Sequence, residues 1–290
     1  MLLVSCLFFL FADDTNIYYE SENIIKLRDK INKELLKVKS WLEINKLALN
    51  IEKTSFVIFH SSRKKLTDDI QIKFGKKPVT RAKYVKFLGV LMDEHLSWKF
   101  HITELTKKLS RTTGIFFKIR HYLPLDILKN LYYSIFSSFL SYGSSTWGLS
   151  YDTYLAPLFL LQKKVLRTIS SQPFLSSTTP IFHSLKILKL NDMINHEILK
   201  LVYKSLNGLS PSHFQNYFQL SNTVHSHQTR QAARGDIFQP IRNTFLYGLR
   251  SIKYIGAKLW NCIPTFIKVS ASFNTFKSKL KEFVINGYAL

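Results

Sequence analysis

Residues 1–19 read MLLVSCLFFLFADDTNIYY, and how this stretch is read decides the fold. From Met1 to Ala12 the side chains are almost all apolar, with Leu, Val and Phe predominating, and an abrupt polar turn follows. Such a run falls short of the roughly 20 residues needed to span a bilayer, so no stable membrane insertion is expected. A signal peptide would carry a basic leading region and a small-residue cleavage site, and would not run directly into Asp13-Asp14. A buried strand fits better. Ile17-Tyr18-Tyr19 then reads as a second short strand, so the pattern is strand, two acids at the tip, strand.

Two adjacent carboxylates repel and raise each other's pKa, a cost that a bound divalent cation relieves. Asp13-Asp14 after an apolar strand therefore suggests Mg²⁺ held for phosphoryl transfer, where metal ions clamp the attacking and leaving oxygens. An ordinary surface turn is the competing reading, and Asp68-Asp69 reads that way. The next ninety or so residues tip the balance. From Ser21 to Leu49, apolar residues including Ile24, Leu27, Ile31, Leu35, Val38 and Leu42 recur at helical spacing, with Ser21 in a plausible cap region and Trp41 on the apolar side. Asn50-Ile51-Glu52-Lys53-Thr54 precedes a strand at 55–60, and the basic loop Arg63-Lys64-Lys65 follows it. A short strand pair is expected around residues 70–74 and 79, then a hairpin at 84–93 continuing to Leu96-Ser97-Trp98. Strand, helix, strand and hairpin on one antiparallel sheet is an α+β arrangement.

Beyond residue 98 the chain reads as helical and cationic. Residues 99–121 set Ile102, Leu105, Leu109 and Phe116 on one side and leave Lys107, Lys108 and Arg111 available to solvent. Pro124 opens another helix, and segments 152–169 and 191–206 repeat the pattern, the former carrying Lys163, Lys164 and Arg167. Ser170–Pro180 is the best boundary before a C-terminal region that ends in a basic helix at 273–284. The pairs Phe116-Phe117 and Tyr132-Tyr133 read mostly as core. A loop at 221–234 holds His225, His227, Arg230 and Arg234. It suits phosphate contact or a His-x-His metal pair, though a solvated loop is the preferred reading.

The full chain of 290 residues carries 41 Lys and Arg against 19 Asp and Glu, a formal charge of +22. Residues 105–290 hold 23 of those bases and only six of the acids. That imbalance points to a polyanion such as nucleic acid, or to a solvated basic surface. With 46% apolar residues the composition excludes a disordered tail, and with two cysteines it excludes a disulfide scaffold. Cys6 and Cys262, with no CxxC or finger spacing, suggest a reducing compartment and offer no structural zinc.

The ordered set FADDT (11–15), a long helix, LNIEKTSFVIF (49–59) and KFLGVLMDEHLSW (86–98) resembles the C-terminal half of a reverse transcriptase palm of the non-LTR (LINE-like, jockey-type) retrotransposons. YGSSTWG (142–148), LQKKVLR (161–167), YKSLNG (203–208) and GAKLWNCIP (256–264) extend the resemblance over nearly the whole chain. It implies that Asp13 and Asp14 form the metal-binding turn, with Asp13 the direct Mg²⁺ ligand and Phe11 packed under the primer terminus. It also implies that Lys53 protonates departing pyrophosphate and that Phe87-Leu88-Gly89 is the primer grip. The expected division is a partial palm at 1–98, a thumb-like helical region at 99–171 and a basic helical region at 172–290. The implied reaction is RNA-directed DNA synthesis from an RNA template, a DNA primer and deoxynucleotides, inside the cell in nucleus or cytoplasm rather than in secretion. Only twelve residues precede Asp13, too few for fingers and the earlier palm aspartate. This chain alone is therefore expected not to polymerise, and the remaining acids match turns and helix surfaces. The alternative is a non-catalytic RNA- or DNA-binding remnant gripping through Lys107, Lys108, Arg111, Lys163, Lys164 and Arg167.

Overall fold

β1 (Cys6–Phe11) pairs antiparallel with β2 (Asp14–Tyr19), in register from Cys6 opposite Tyr19 to Phe11 opposite Asp14. The computed structural model describes residues 6–12, 14–64, 66, 70–224, 233–239, 241 and 244–288. Two compact units make up the chain, one reaching Ser97 and the other starting at Trp98. In the first unit the hairpin forms as its sequence predicts, but β1 is not buried. Leu7, Phe8, Phe9, Leu10 and Phe11 are all exposed, Leu10 to 72%. The reason is topological: among the described residues β1 is paired only with β2, so no further strand covers its edge and no layer covers its faces.

α1 (Ile24–Ile44) starts three residues later than its hydrophobic period suggests, because Asn23, not Ser21, is the cap. The Asn23 side chain accepts from the amides of Ile25 and Lys26, and Ser21 accepts from the Asn23 amide. The helix ends five residues short of Leu49. Lys46 turns left-handed (φ 55°) while its amide and that of Leu47 return to Glu43 and Leu42, a paired closure of the last turn. Its Ile31–Leu35–Val38–Leu42 row packs on Ile72, Phe74 and Val79, joined by Ile51, Phe56 and Ile70. That small cluster covers one stripe only, which leaves Trp41, expected in the core, 58% exposed.

The remaining strands are short: β3 (Ser55–Phe56), β4 (Lys73–Phe74), β5 (Lys77–Pro78), β6 (Thr80–Arg81), β7 (Tyr84–Phe87) and β8 (Val90–Asp93). They form further two-stranded pairs, β4–β5 and β7–β8 antiparallel and β3–β6 parallel, rather than one antiparallel sheet. The strand expected over 55–60 stops pairing after Phe56, and the His60 amide instead donates to the Glu94 carbonyl. The class is α+β, as read from the sequence.

The second unit is helical: α2 (Lys99–Ile119), α3 (Leu125–Leu131), a widened π-type stretch Tyr132–Ser137, α4 (Ser138–Ser141), α5 (Ser144–Trp147), α6 (Asp152–Ile169), α7 (Thr179–Leu185), α8 (Leu190–Leu206), α9 (Ser212–Gln215), α10 (Ser221–Val224), a second π-type stretch Phe245–Leu249, α11 (Ile252–Cys262), α12 (Thr265–Lys268) and α13 (Phe273–Asn286). α2 lies along α6, and α8 packs against α4, α5, α6, α11 and α13. Segments 99–171 and 172–290 thus share one compact unit. Of the aromatic pairs, Phe116 and Tyr132 are buried while Phe117 and Tyr133 face outward. Among the described residues no helix is long and apolar enough to cross a membrane.

Candidate functional site

The β1–β2 turn follows from its two-residue length. Phe11 pairs with Asp14, and Ala12 takes a left-handed φ of 51°, the backbone such a hairpin turn requires. Asp14 is exposed at the first position of β2. Asp13 lies outside the described residues. Because side chains alternate along a strand, Asp14, Asn16 and Tyr18 share one face of β2. On that face Phe9 meets Tyr18 edge-on at 5.3 Å, and Tyr18 meets Phe87 edge-on at 6.4 Å. Burial raises the Tyr18 phenol pKa above its ordinary value.

Phe87 closes the β7–β8 hairpin through Leu88 and Gly89, whose φ values of 44° and 84° are both positive. Gly89 takes such a φ freely, whereas at Leu88 it costs roughly 1–2 kcal/mol. Leu88 is 40% exposed at this turn. The ring ladder therefore ties the Phe87-Leu88-Gly89 turn to the face of the hairpin that carries Asp14. Tyr18 stands four residues from Asp14, about 13 Å along extended chain.

Lys53 is exposed in a turn organised by Asn50. The Lys53 amide donates to Asn50 Oδ1 at 3.2 Å, and Thr54 Oγ1 donates to the Asn50 carbonyl at 2.8 Å. This explains the Asn-x-x-Lys-Thr spacing locally: the asparagine fixes the loop from which the lysine projects. No hydrogen bond, ion pair or ring contact among the described residues joins Lys53 to Asp14.

In the second unit, Lys107, Lys108 and Arg111 are exposed on α2, opposite its buried Leu105–Leu109–Thr112 side. Lys107 pairs with Glu104 at 2.7 Å and Lys108 lies over Phe139. On α6, Lys163 lies over Phe159, Lys164 is exposed, and Arg167 donates to the Ser176 carbonyl while facing Phe174. The two trios are linked through α2–α6 packing rather than by contacts of their own. His225, His227 and Arg230 lie outside the described residues, and Arg234 is exposed.

The motifs of this unit resolve into packing. Trp147 is fully buried with its indole donating to the Tyr142 carbonyl, and a Cβ on Gly148 would clash with the Ser144 carbonyl and meet Ile194 at 2.7 Å. Gln162, also fully buried, donates to the Tyr132 hydroxyl and to the Leu188 carbonyl. Gly256 lets α11 close on Phe218 and Val202, and Trp260 donates to the Gly235 carbonyl while stacking on Phe276.

Two of the acids expected at turns and surfaces are buried. Asp93 accepts from the Ser97 amide, and Asp236 pairs with Lys268 at 2.6 Å. Sequence reading also missed a cluster of His60, Glu94 and His95, whose residues are 34 positions apart with no spacing signal to announce them.

The chain is similar to reverse transcriptases of non-LTR retrotransposons. It is 27% identical over 190 residues to the RNA-directed DNA polymerase from mobile element jockey of Drosophila melanogaster, covering 64% of this chain and 20% of the relative. To the jockey polymerase of Drosophila funebris it is 27% identical over 201 residues, 68% of this chain and 22% of the relative. To the probable RNA-directed DNA polymerase from transposon X-element of Drosophila melanogaster it is 26% identical over 188 residues, 64% and 20%. The aligned part thus spans about a fifth of the curated relatives' length. No protein-family model and no solved structure matches.

Proposed function

We propose that the first unit supplies the metal-binding turn and primer grip of an RNA-directed DNA polymerase of the non-LTR type, and that the second unit is its thumb and post-thumb region. The observation that carries this reading is the Phe9–Tyr18–Phe87 ladder. It ties the primer-grip turn, through Tyr18, to the face of β2 that carries Asp14. The exposed apolar β1 is the edge on which the rest of a palm sheet would add.

Carboxylates adjacent in sequence are hard oxygen donors that suit Mg²⁺, so Asp13 and Asp14 would hold it. Held there, Mg²⁺ would supply Lewis-acid activation of the primer 3′-hydroxyl and charge neutralisation at the α-phosphate. Lys53 would donate a proton to the leaving pyrophosphate from the loop fixed by Asn50, and Phe87-Leu88-Gly89 would orient the primer strand. The chain by itself is proposed to bind nucleic acid without extending a primer. An intracellular site of action, in nucleus or cytoplasm, completes the reading.

The excess of bases over acids beyond residue 104 favours binding as the retained activity. If Lys107, Lys108, Arg111, Lys163, Lys164 and Arg167 each neutralise a phosphate, the slope of log K against log salt is about −4 on single strands and −5 on duplex. Filter binding across a salt series measures it, and Lys163→Ala with Lys164→Ala should flatten the slope by about 1–2. In a primer-extension assay with Mg²⁺ the chain should give no product. Synthesis that Asp13→Asn abolishes would show instead that the chain holds a working catalytic site.

A further inference from the structure

His60 leaves the β3 segment just where Glu94 and His95 leave β8, and the three side chains converge with their potential ligand atoms within 4.8 Å of one another. His60 Nε2 stands 3.8 Å from one carboxylate oxygen of Glu94, and His95 Nε2 stands 4.0 Å from the other. The two imidazoles meet edge-on at 4.7 Å. Side-chain exposure is 12% for His60, 19% for Glu94 and 34% for His95, so the cluster is shielded yet open on one side.

The other ring nitrogens are already committed. His60 Nδ1 is 2.9 Å from the Ser61 carbonyl, and His95 Nδ1 is 3.2 Å from the His60 carbonyl. A carbonyl oxygen only accepts, so each Nδ1 carries the proton, and in the neutral ring the lone pair sits on Nε2, aimed at the cluster. A main-chain carbonyl on the far nitrogen is the arrangement that orients histidines for metal binding. The carboxylate is held in turn by Arg81, at 3.3 Å from one oxygen.

We propose that His60, Glu94 and His95 form a Zn²⁺ site, with a fourth position left to water. Two imidazoles and a carboxylate suit zinc and do not suit Mg²⁺. Bonds of about 2.1 Å in a tetrahedron place ligand atoms about 3.4 Å apart, so ligand atoms that lie within 4.8 Å of one another would draw in by about 1.4 Å at most. The site joins the end of β3 to the turn after β8. Those segments belong to a unit whose buried cluster, among the described residues, is Ile72, Phe74 and Val79, the kind of small core that a metal clamp stabilises. The ion would cross-link the two segments through three protein ligands, leaving its fourth position open.

The test is titration of the full, metal-stripped chain with ZnCl₂ by calorimetry, with CoCl₂ as a spectroscopic probe. Expected are one saturable site per chain, a rise in Tm with Zn²⁺ and none with equal Mg²⁺, and Co²⁺ bands without a thiolate charge-transfer component. His60→Gln and His95→Gln should each weaken binding at least about tenfold, equivalent to 1.4 kcal/mol. The proposal is overturned if the wild-type chain shows no such site, if the His60→Gln/His95→Gln double variant binds as tightly as wild type, or if the cobalt spectrum shows thiolate ligation. If a variant fails to fold, the absence of a site in the wild-type titration still overturns the proposal.

Discussion

Asp236 and Lys268 stand 2.6 Å apart with side chains only 5% and 4% exposed, a charge pair taken almost wholly out of water. Desolvating two ions costs nearly what their attraction returns, so the pair itself adds little, but either partner alone would be a stranded charge. Asp236→Ala should therefore destabilise the second unit by about 3–5 kcal/mol. The double variant Asp236→Leu/Lys268→Met should recover most of that loss, and urea unfolding of the four chains of the cycle measures both. Nothing in the flanking Arg234-Gly235-Asp236-Ile237 marks that aspartate as buried. Its partner lies 32 residues away and reaches it only once α12 docks. Lys53 is the opposite case: the asparagine three residues earlier fixes its loop through local hydrogen bonds, so its projection into solvent is legible from spacing alone.

At the scale of elements, local signals located the helices and non-local packing decided what they cover. α6 runs from Asp152 to Ile169 and α8 ends at Leu206, as their hydrophobic periods predict. The β1–β2 and β7–β8 hairpins form where apolar runs meet short turns. Burial of β1 and of Trp41 could not be read the same way, because an apolar period states what a face prefers, not whether another layer arrives to cover it. The candidate site was legible where it rests on a turn, as at Asp14 and at Leu88-Gly89. It was illegible where it rests on convergence of distant segments, as at His60 and Glu94. In the second unit the recurrent motifs mark close approaches, and Gly148 is the tightest. Its missing side chain leaves room for Ile194 on α8, and the helical carbonyl of Ser144 cannot retreat. Gly148→Ala should cost about 1–3 kcal/mol by overpacking, read as a lower urea midpoint with unchanged slope. Gly114, with open space where a Cβ would go, is the matched control, and Gly114→Ala on α2 should be stabilising by about 0.5–1 kcal/mol.

For the molecule as a whole, a half-buried histidine, His101, and a buried one, His196, make stability depend on acid. His101 is held below its ordinary value by burial and then by Lys108. His196 is held below it by burial first, with its hydrogen bond to the Lys277 carbonyl opposing. On unfolding, both rings return to the ordinary value of 6.5. Above that pH both states are neutral and these groups contribute no slope. Below it the unfolded chain takes up protons that the folded chain does not, so stability falls as pH drops. Calorimetry should show Tm declining below about pH 6.5, with a shallower decline in His196→Gln, which keeps a hydrogen-bond donor for the carbonyl. A feature of the same unit bears on how the protein is made. Arg250 donates to the carbonyls of Leu149 and Ser150, and the Tyr288 hydroxyl accepts from the Lys189 amide while donating to Asp192. The start of α8 is thus satisfied by a residue 99 positions later, which a ribosome reaches about 5–20 s afterwards. Until α11 and α13 have been made, the apolar side of α8 that they cover is open. A message broken before the α11 codons would therefore yield a chaperone client, not a shorter folded protein.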